Sequence, residues 1–321
     1  ALFVAAFDAP KLVEQIRHLV APGMSIRSLD ELRLPDAMIS DRARYLSPIN
    51  FATNFVFFRD GGGHHTRLVT ANYWGGYGAS EARFWCRLYD REGMRLAEWE
   101  EKAGPPQGAF VIDSKTIRAR FNLPGFTGQL FMHAVGIKGH DVVKYALDTY
   151  GDAQDTLSCT HDANSWPADF YAGLPAPDDG EDVVLWLQNS QPFPIPAGEI
   201  SLNTMGRDDD AVTLSEPVAA FATRRLSVSE ILPKARWPQQ VEINAGKYIV
   251  RPRYEVFARS GRQRIAHVNV ERTDLKPDPN LAELGSVMGK GHILPAPILP
   301  IERYDTLALP TPMARGIGHF P

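Results

Sequence analysis

The sequence predicts a mainly β fold: two tandem antiparallel β-sandwich domains, Ig-like or jelly-roll-like, with a short N-terminal helical cover and an extended proline-rich C-terminal arm. Three observations carry this. From Phe51 onward, apolar residues recur with a period of two in short runs, the spacing at which successive side chains of a strand reach one face. Gly, Pro and Asp clusters end each run at the short intervals of an all-β chain. Beyond residue 180 the order of runs and turns recurs. The expected limits are 1–48 for the cover, 49–156 for the first sandwich, 157–180 for a junction, 181–273 for the second sandwich as a repeat of the first, and 274–321 for the arm.

The cover opens with Pro10 to Val20. Leu12, Val13, Ile16, Leu19 and Val20 fall three or four apart with polar residues between them, which predicts an amphipathic helix of about three turns that Ala21-Pro22-Gly23 stops. Ser28 is placed to cap a second short turn, and Leu34 to Ile39 reads as irregular packing. Phe51 to Phe58 and Thr66 to Ala71 then form a hairpin across Arg59-Asp60-Gly61-Gly62-Gly63. Asn72 to Gly78 is a loop of aromatics and glycine. Glu81 to Tyr89 alternates, with Phe84, Cys86 and Leu88 on one face and Trp85, Arg87 and Tyr89 on the other. Met94 to Glu100, Phe110 to Asp113, Gly128 to Val135 and Val142 to Leu147 complete the first set of strands.

The second set follows in the same order. Val183 to Asn189 answers Arg67 to Asn72, and Gly198 to Asn203 answers Ala82 to Tyr89. The acidic turn Arg207 to Asp210 answers Asp90 to Gly93, and Ala220 to Val228 answers Gly108 to Asp113. Gly246 to Val250 is matched to Gly128 to Met132, and Arg264 to Val270 to Val142 to Leu147. The arm carries eight prolines from Pro277 to Pro321, which forbid a long helix, yet Ile293, Leu294, Ile298, Leu299 and Ile301 make it too apolar for a free linker. It is expected to lie in a groove of its own chain or of a second subunit, which would make the protein a homo-oligomer.

Composition bounds the function. With 44% hydrophobic and 22% charged residues in 321, the chain is long enough for two cores and has no disordered bulk. Its net charge of −4 and scattered basic residues argue against nucleic acid as a partner. No run approaches the roughly 20 apolar residues of a membrane span, and Ala1 to Phe7 is too short for a signal peptide. The two cysteines cannot build a disulfide framework. A reducing cytoplasm fits them better than an extracytoplasmic compartment, with one Cys86–Cys159 bridge as the alternative.

Chemistry is less legible. None of nine histidines stands in a local metal motif, so a divalent-metal site would have to gather His64, His65, His133 and His161 from distant positions. The stretch Leu157 to Pro167 is rich in functional groups, but Ser158 or Ser165 beside His161 and Asp162 lacks the separate loops from which a hydrolytic triad assembles. The runs Asp208 to Asp210 and Asp178 to Asp182 read as solvated hairpin tips, and the glycine runs at Gly61 and Gly289 as turns. The stronger candidate is aromatic. Tyr73, Trp74 and Tyr77, with Asn72, could face His161, Asp162, Asn164 and Trp166 across the junction, giving ring faces and polar groups for a small polar ligand or glycan. The competing reading makes Trp74 and Trp166 plugs that close the ends of their sandwiches.

The function expected from these features is a non-catalytic ligand-binding or assembly protein with a carbohydrate-like, polar-ring ligand at the domain junction. Two alternatives stand beside it: a metal-dependent or hydrolytic enzyme acting on a carbohydrate or similar substrate, and an oligomeric structural component with an exchanged arm.

Overall fold

A computed structural model describes residues 1–152, 157–162, 167–271, 299–303 and 306. The fold is mainly β, with several antiparallel sheets. The N-terminal segment holds β1 (Leu2–Val4), α1 (Pro10–Ile16) and β2 (Ile26–Ser28), with β1 and β2 paired in parallel. The expected three-turn helix is shorter: after Ile16 it tightens into a 3₁₀ turn, Arg17–Leu19, and no residue of either piece is buried. Ser28 does cap the next 3₁₀ turn, accepting a bond from the Asp30 N–H. Neither β1 nor β2 was expected, since three residues carry too little periodicity to read.

Next come β3 (Thr53–Gly61), β4 (His64–Ala71), β5 (Arg83–Tyr89), β6 (Arg95–Lys102), β7 (Ala109–Asp113), α2 (Ser114–Arg120), β8 (Phe126–Val135), β9 (Tyr145–Gly151) and β10 (Leu157–Asp162). They form one eight-stranded sheet in the order β10-β9-β4-β3-β8-β5-β6, with β7 also on β4. The strands β3 and β4 pair only near their turn, at Asp60 with His65 and Gly61 with His64; beyond it β4 takes β7 as its neighbour. The sheet therefore opens at this hairpin, and side chains from both arms fill one core that includes Val56, Phe58, Leu68, Phe84, Leu88, Phe110, Leu130, Met132 and Leu147. Helix α2 was not foreseen, although its signal is present: Asp113 accepts bonds from the N–H groups of Lys115 and Thr116, as an N-cap does.

Leu157 to Asp162, read from the sequence as the start of a crossing, is instead a full strand. All six residues of β10 pair with β9. Past it lie β11 (Phe170–Pro175), β12 (Glu181–Gln188), β13 (Ser201–Thr204), β14 (Val212–Thr213), β15 (Thr223–Ser227), α3 (Val228–Ile231), β16 (Gln240–Asn244), β17 (Arg253–Ala258), β18 (Gln263–His267) and β19 (Asn269–Glu271). Five strands pair as β14-β13-β16-β11-β19 and four as β15-β12-β17-β18, with a second core holding Tyr171, Leu174, Leu185, Leu187, Leu202, Val241, Ile243 and Val256. Two strand assignments need correction. Gly246 to Val250 is a turn with a single bridge from Ile249 to Asn189, because Gly246 and Lys247 take positive φ and cannot continue a ladder. Arg264 to Val270 divides at Val268 into β18 and β19, which join different sheets. The arm expected at 274–321 lies outside the described residues except for 299–303 and Thr306; Leu299 and Ile301 are exposed.

The four-stranded sheet turns its second face to the eight-stranded one. Val184, Trp186 and Ile265 close with Phe57 into a small apolar cluster between them. Around it, Glu255 accepts both terminal nitrogens of Arg59 at 3.1 and 2.6 Å, the Trp186 indole N–H at 2.6 Å and the Gln263 amide at 2.5 Å. The Gln129 amide bonds the carbonyls of Asn189 and Phe221. Gly93, at φ +88°, lies so close that a Cβ there would fall 2.0 Å from the Ala220 carbonyl oxygen.

Candidate functional site

The loop after β4 packs largely against its own sheet. Asn72 caps a 3₁₀ turn over Tyr73–Tyr77, accepting from Gly75 N–H and donating to the Gly104 carbonyl. Trp74 is fully buried against Phe84 and donates its indole N–H to the His140 carbonyl at 2.8 Å. Tyr73 leans on Trp74 and bonds the Val142 carbonyl. Burial pushes its hydroxyl up to about 12, so it is a neutral donor. Of the loop's three aromatic rings, that of Tyr77 is the exposed one. Asn164 and Trp166, the expected partners of this loop, lie outside the described residues, as does Ser165.

The candidate metal ligands are bound elsewhere one by one. His64 bonds the Gly62 carbonyl, His65 stands between Asp152 and Asp60, and His133 reaches the Met38 carbonyl at 2.8 Å. His161 is exposed at the edge of the His267 ring. Among the described residues no three His, Cys, Asp or Glu side chains are grouped to hold a metal ion. Cys86 and Cys159 are both free thiols, and burial pushes that of Cys86 up.

Asp162 is buried where β10 meets the second set of strands. Its carboxylate takes Arg253 at 3.2 Å and lies 3.6 Å from Arg251. Two residues back, Thr160 meets the His267 ring at 2.6 Å. Burial holds the His267 pKa down at about 4, helped by the two nearby guanidinium groups and opposed by Asp162. Unfolding returns it to about 6.5. The unfolded chain thus binds more protons between these values, so this residue's contribution is complete above pH 6.5 and is lost as pH falls toward 4. Thermal unfolding across that window should show His267→Asn flattening part of the acid loss; an unchanged slope would remove His267 as its source.

The open, aromatic surface lies on the other side of the first sheet. Alternation sends Val56, Phe84, Cys86, Leu130 and Met132 into the core, so their neighbours face out. Register then lays Glu98, Arg87, Phe131 and Phe55 side by side across β6, β5, β8 and β3 as one rung. Trp85 stands on the next rung and Tyr89 on the one before. Leu34, Pro35 and Met38 of the N-terminal segment wall one side, held by the Met38 and Ala37 carbonyls on His133 and Arg83. Phe221, stacked on Tyr89 with centroids 4.5 Å apart, walls the other. The groove between them has a volume of about 550 Å³. No protein-family model matches this chain, and no curated protein matches it.

Within the groove the polar groups are few and fixed. Arg87 lies over the Trp85 ring at 4.1 Å and bonds Glu98 at 2.9 Å, while Trp85 donates its N–H to the same carboxylate. Desolvation works to raise the Glu98 pKa, but the bonds from Arg87 and Trp85 and the charge of Arg95 outweigh it and hold the group below the usual range. The sequence had already separated Trp85, Arg87 and Tyr89 from the core face of their strand. What it lacked was the register that sets Phe131 and Phe55 beside them.

Proposed function

We propose that the protein is a non-catalytic binding protein that holds a polar-ring, carbohydrate-like ligand in the groove over Phe131 and Trp85. One observation carries the reading: a concave surface of pocket size, half of whose lining residues are aromatic, with an oriented ion pair on the same rung as Phe131 and Phe55. Neighbouring strands lie about 4.8 Å apart, so a ring seated on Phe131 reaches Arg87 and Glu98 on the next two strands. The ring's apolar face would stack on the aromatics while its hydroxyls bond the guanidinium and carboxylate. Glu98, kept ionised by its partners, suits hydrogen-bond acceptance better than proton donation, which favours binding over the hydrolytic alternative.

The same proposal takes the chain as two copies of one sandwich unit. The pairing orders β6-β5-β8-β3 and β14-β13-β16-β11 correspond strand for strand, as do β7-β4-β9-β10 and β15-β12-β17-β18, and a short helix follows β7 and β15 alike. This equates β16 with β8 and β17 with β9, one strand earlier than the sequence comparison alone suggested. The groove then lies where Phe221 of the second copy overhangs the first.

A thermal-shift screen of sugars and polar-ring metabolites tests the binding. At least one should raise the unfolding midpoint, and Trp85→Ala should weaken it about tenfold, equivalent to the stacking of one ring. If no compound acts, or every shift survives both Trp85→Ala and Phe131→Ala, the groove is not the site.

A further inference from the structure

Among the described residues, the point where Asp162 meets β17 holds more cation than anion. Arg253 is 1% exposed, and only its Nη2 is used, by the Tyr145 hydroxyl at 2.8 Å and Asp162 at 3.2 Å. Among the described residues its Nε and Nη1 have no partner, and neither does Nε of Arg251. A guanidinium carries five N–H donors, and a buried charged donor left unbonded is among the costlier defects a fold can keep. Of the other groups facing this point, Tyr145 and Tyr171 are neutral because burial pushes their hydroxyls up, and His267 is neutral at pH 7. His161 lies at the rim against His267. Among the described residues, two guanidinium groups therefore face the single carboxylate of Asp162. Arg251, whose side chain is 21% exposed, gives the cluster its contact with solvent.

We propose that Arg251 and Arg253 form a binding site for a small oxyanion, the carboxylate or phosphate group of a solute. Such an anion would accept from the unpartnered guanidinium nitrogens and balance the excess positive charge; water could do the first but not the second. The site lies between the two sets of strands, so occupancy would tighten the contact of β10 with β17 and β18. It is independent of the aromatic groove.

The test is thermal unfolding of the full chain at pH 7.5 in potassium phosphate, sodium acetate or sodium chloride at matched ionic strength. The expected result is a saturable rise in midpoint with phosphate, acetate or both, which identifies the anion class, and its loss in Arg251→Gln. Arg251 is partly exposed, so that variant should fold, and Arg251→Lys should recover part of the response through its charge. General salting-out also stabilises, but without saturation and equally in Arg251→Gln. Identical midpoints in all three salts, or a rise that Arg251→Gln leaves unchanged, would overturn the assignment.

Discussion

Glu255→Ala is expected to cost about 3–5 kcal/mol and to lower the unfolding midpoint on the order of 10 °C. The carboxylate is fully buried and takes four hydrogen bonds, two from Arg59 and one each from Trp186 and Gln263. Without it the Arg59 guanidinium stays in the interface with its charge uncompensated, and an indole N–H next to Phe57 loses its acceptor. The penalty belongs to the stranded partner rather than to the pair. Arg59→Met with Glu255→Leu should accordingly recover much of the loss, since apolar replacement of both ions removes the uncompensated charge. Calorimetry of the two single variants and the double variant measures this; a loss below about 1 kcal/mol in Glu255→Ala would mean that water reaches Arg59.

Trp74→Ala should be of similar size, about 3–5 kcal/mol by urea unfolding, because the ring fills the core between Tyr73 and Phe84 with no exposure. Trp74→Phe keeps most of the packing and gives up the bond to the His140 carbonyl, a loss of about 1 kcal/mol plus whatever gap the smaller ring leaves. Tyr77→Ala, three residues on and largely exposed, should stay within about 0.5 kcal/mol. A neutral Trp74→Ala would take the ring out of the core and restore the loop as a ligand surface.

The strands were legible where one face is apolar and the other is not. Arg83–Tyr89 comes nearest to this; β3 carries Phe55 and Phe57 opposite Val56 and Phe58 and is legible instead from its dense run of strand-forming residues ending at the turn Arg59 to Gly63, and the bounds of β3, β4 and β5 differ from the expected ones by only a few residues. The C-terminal strands of the second set are hard to read because β17 is buried on both sides: Val256 faces the second core while Arg253 and Glu255 face the first sheet, so polar residues there look like a loop. The same effect hid the role of Asp162. In sequence it belongs with His161 as a reactive pair; in the fold successive strand residues point apart, leaving His161 exposed and Asp162 buried on Arg253. The aromatic loop was found for its composition, but composition does not say which way a ring points. The groove was missed because its residues come from β3, β5, β6 and β8, and only pairing register makes them neighbours.

Strand β10 has a consequence for dissecting the molecule. Its alternate residues Ser158, Thr160 and Asp162 bond Ile265, His267 and Arg253, so one face of the first sheet's edge strand is finished by the second set of strands. A fragment ending after Asp162 would present that polar row, together with Phe57 and Arg59, to water without their partners. A fragment beginning at Phe170 would leave Glu255, Trp186 and Arg253 equally bare. The most obvious place to divide the gene is thus a poor one, and either half made alone would carry a charged, sticky face toward its missing counterpart.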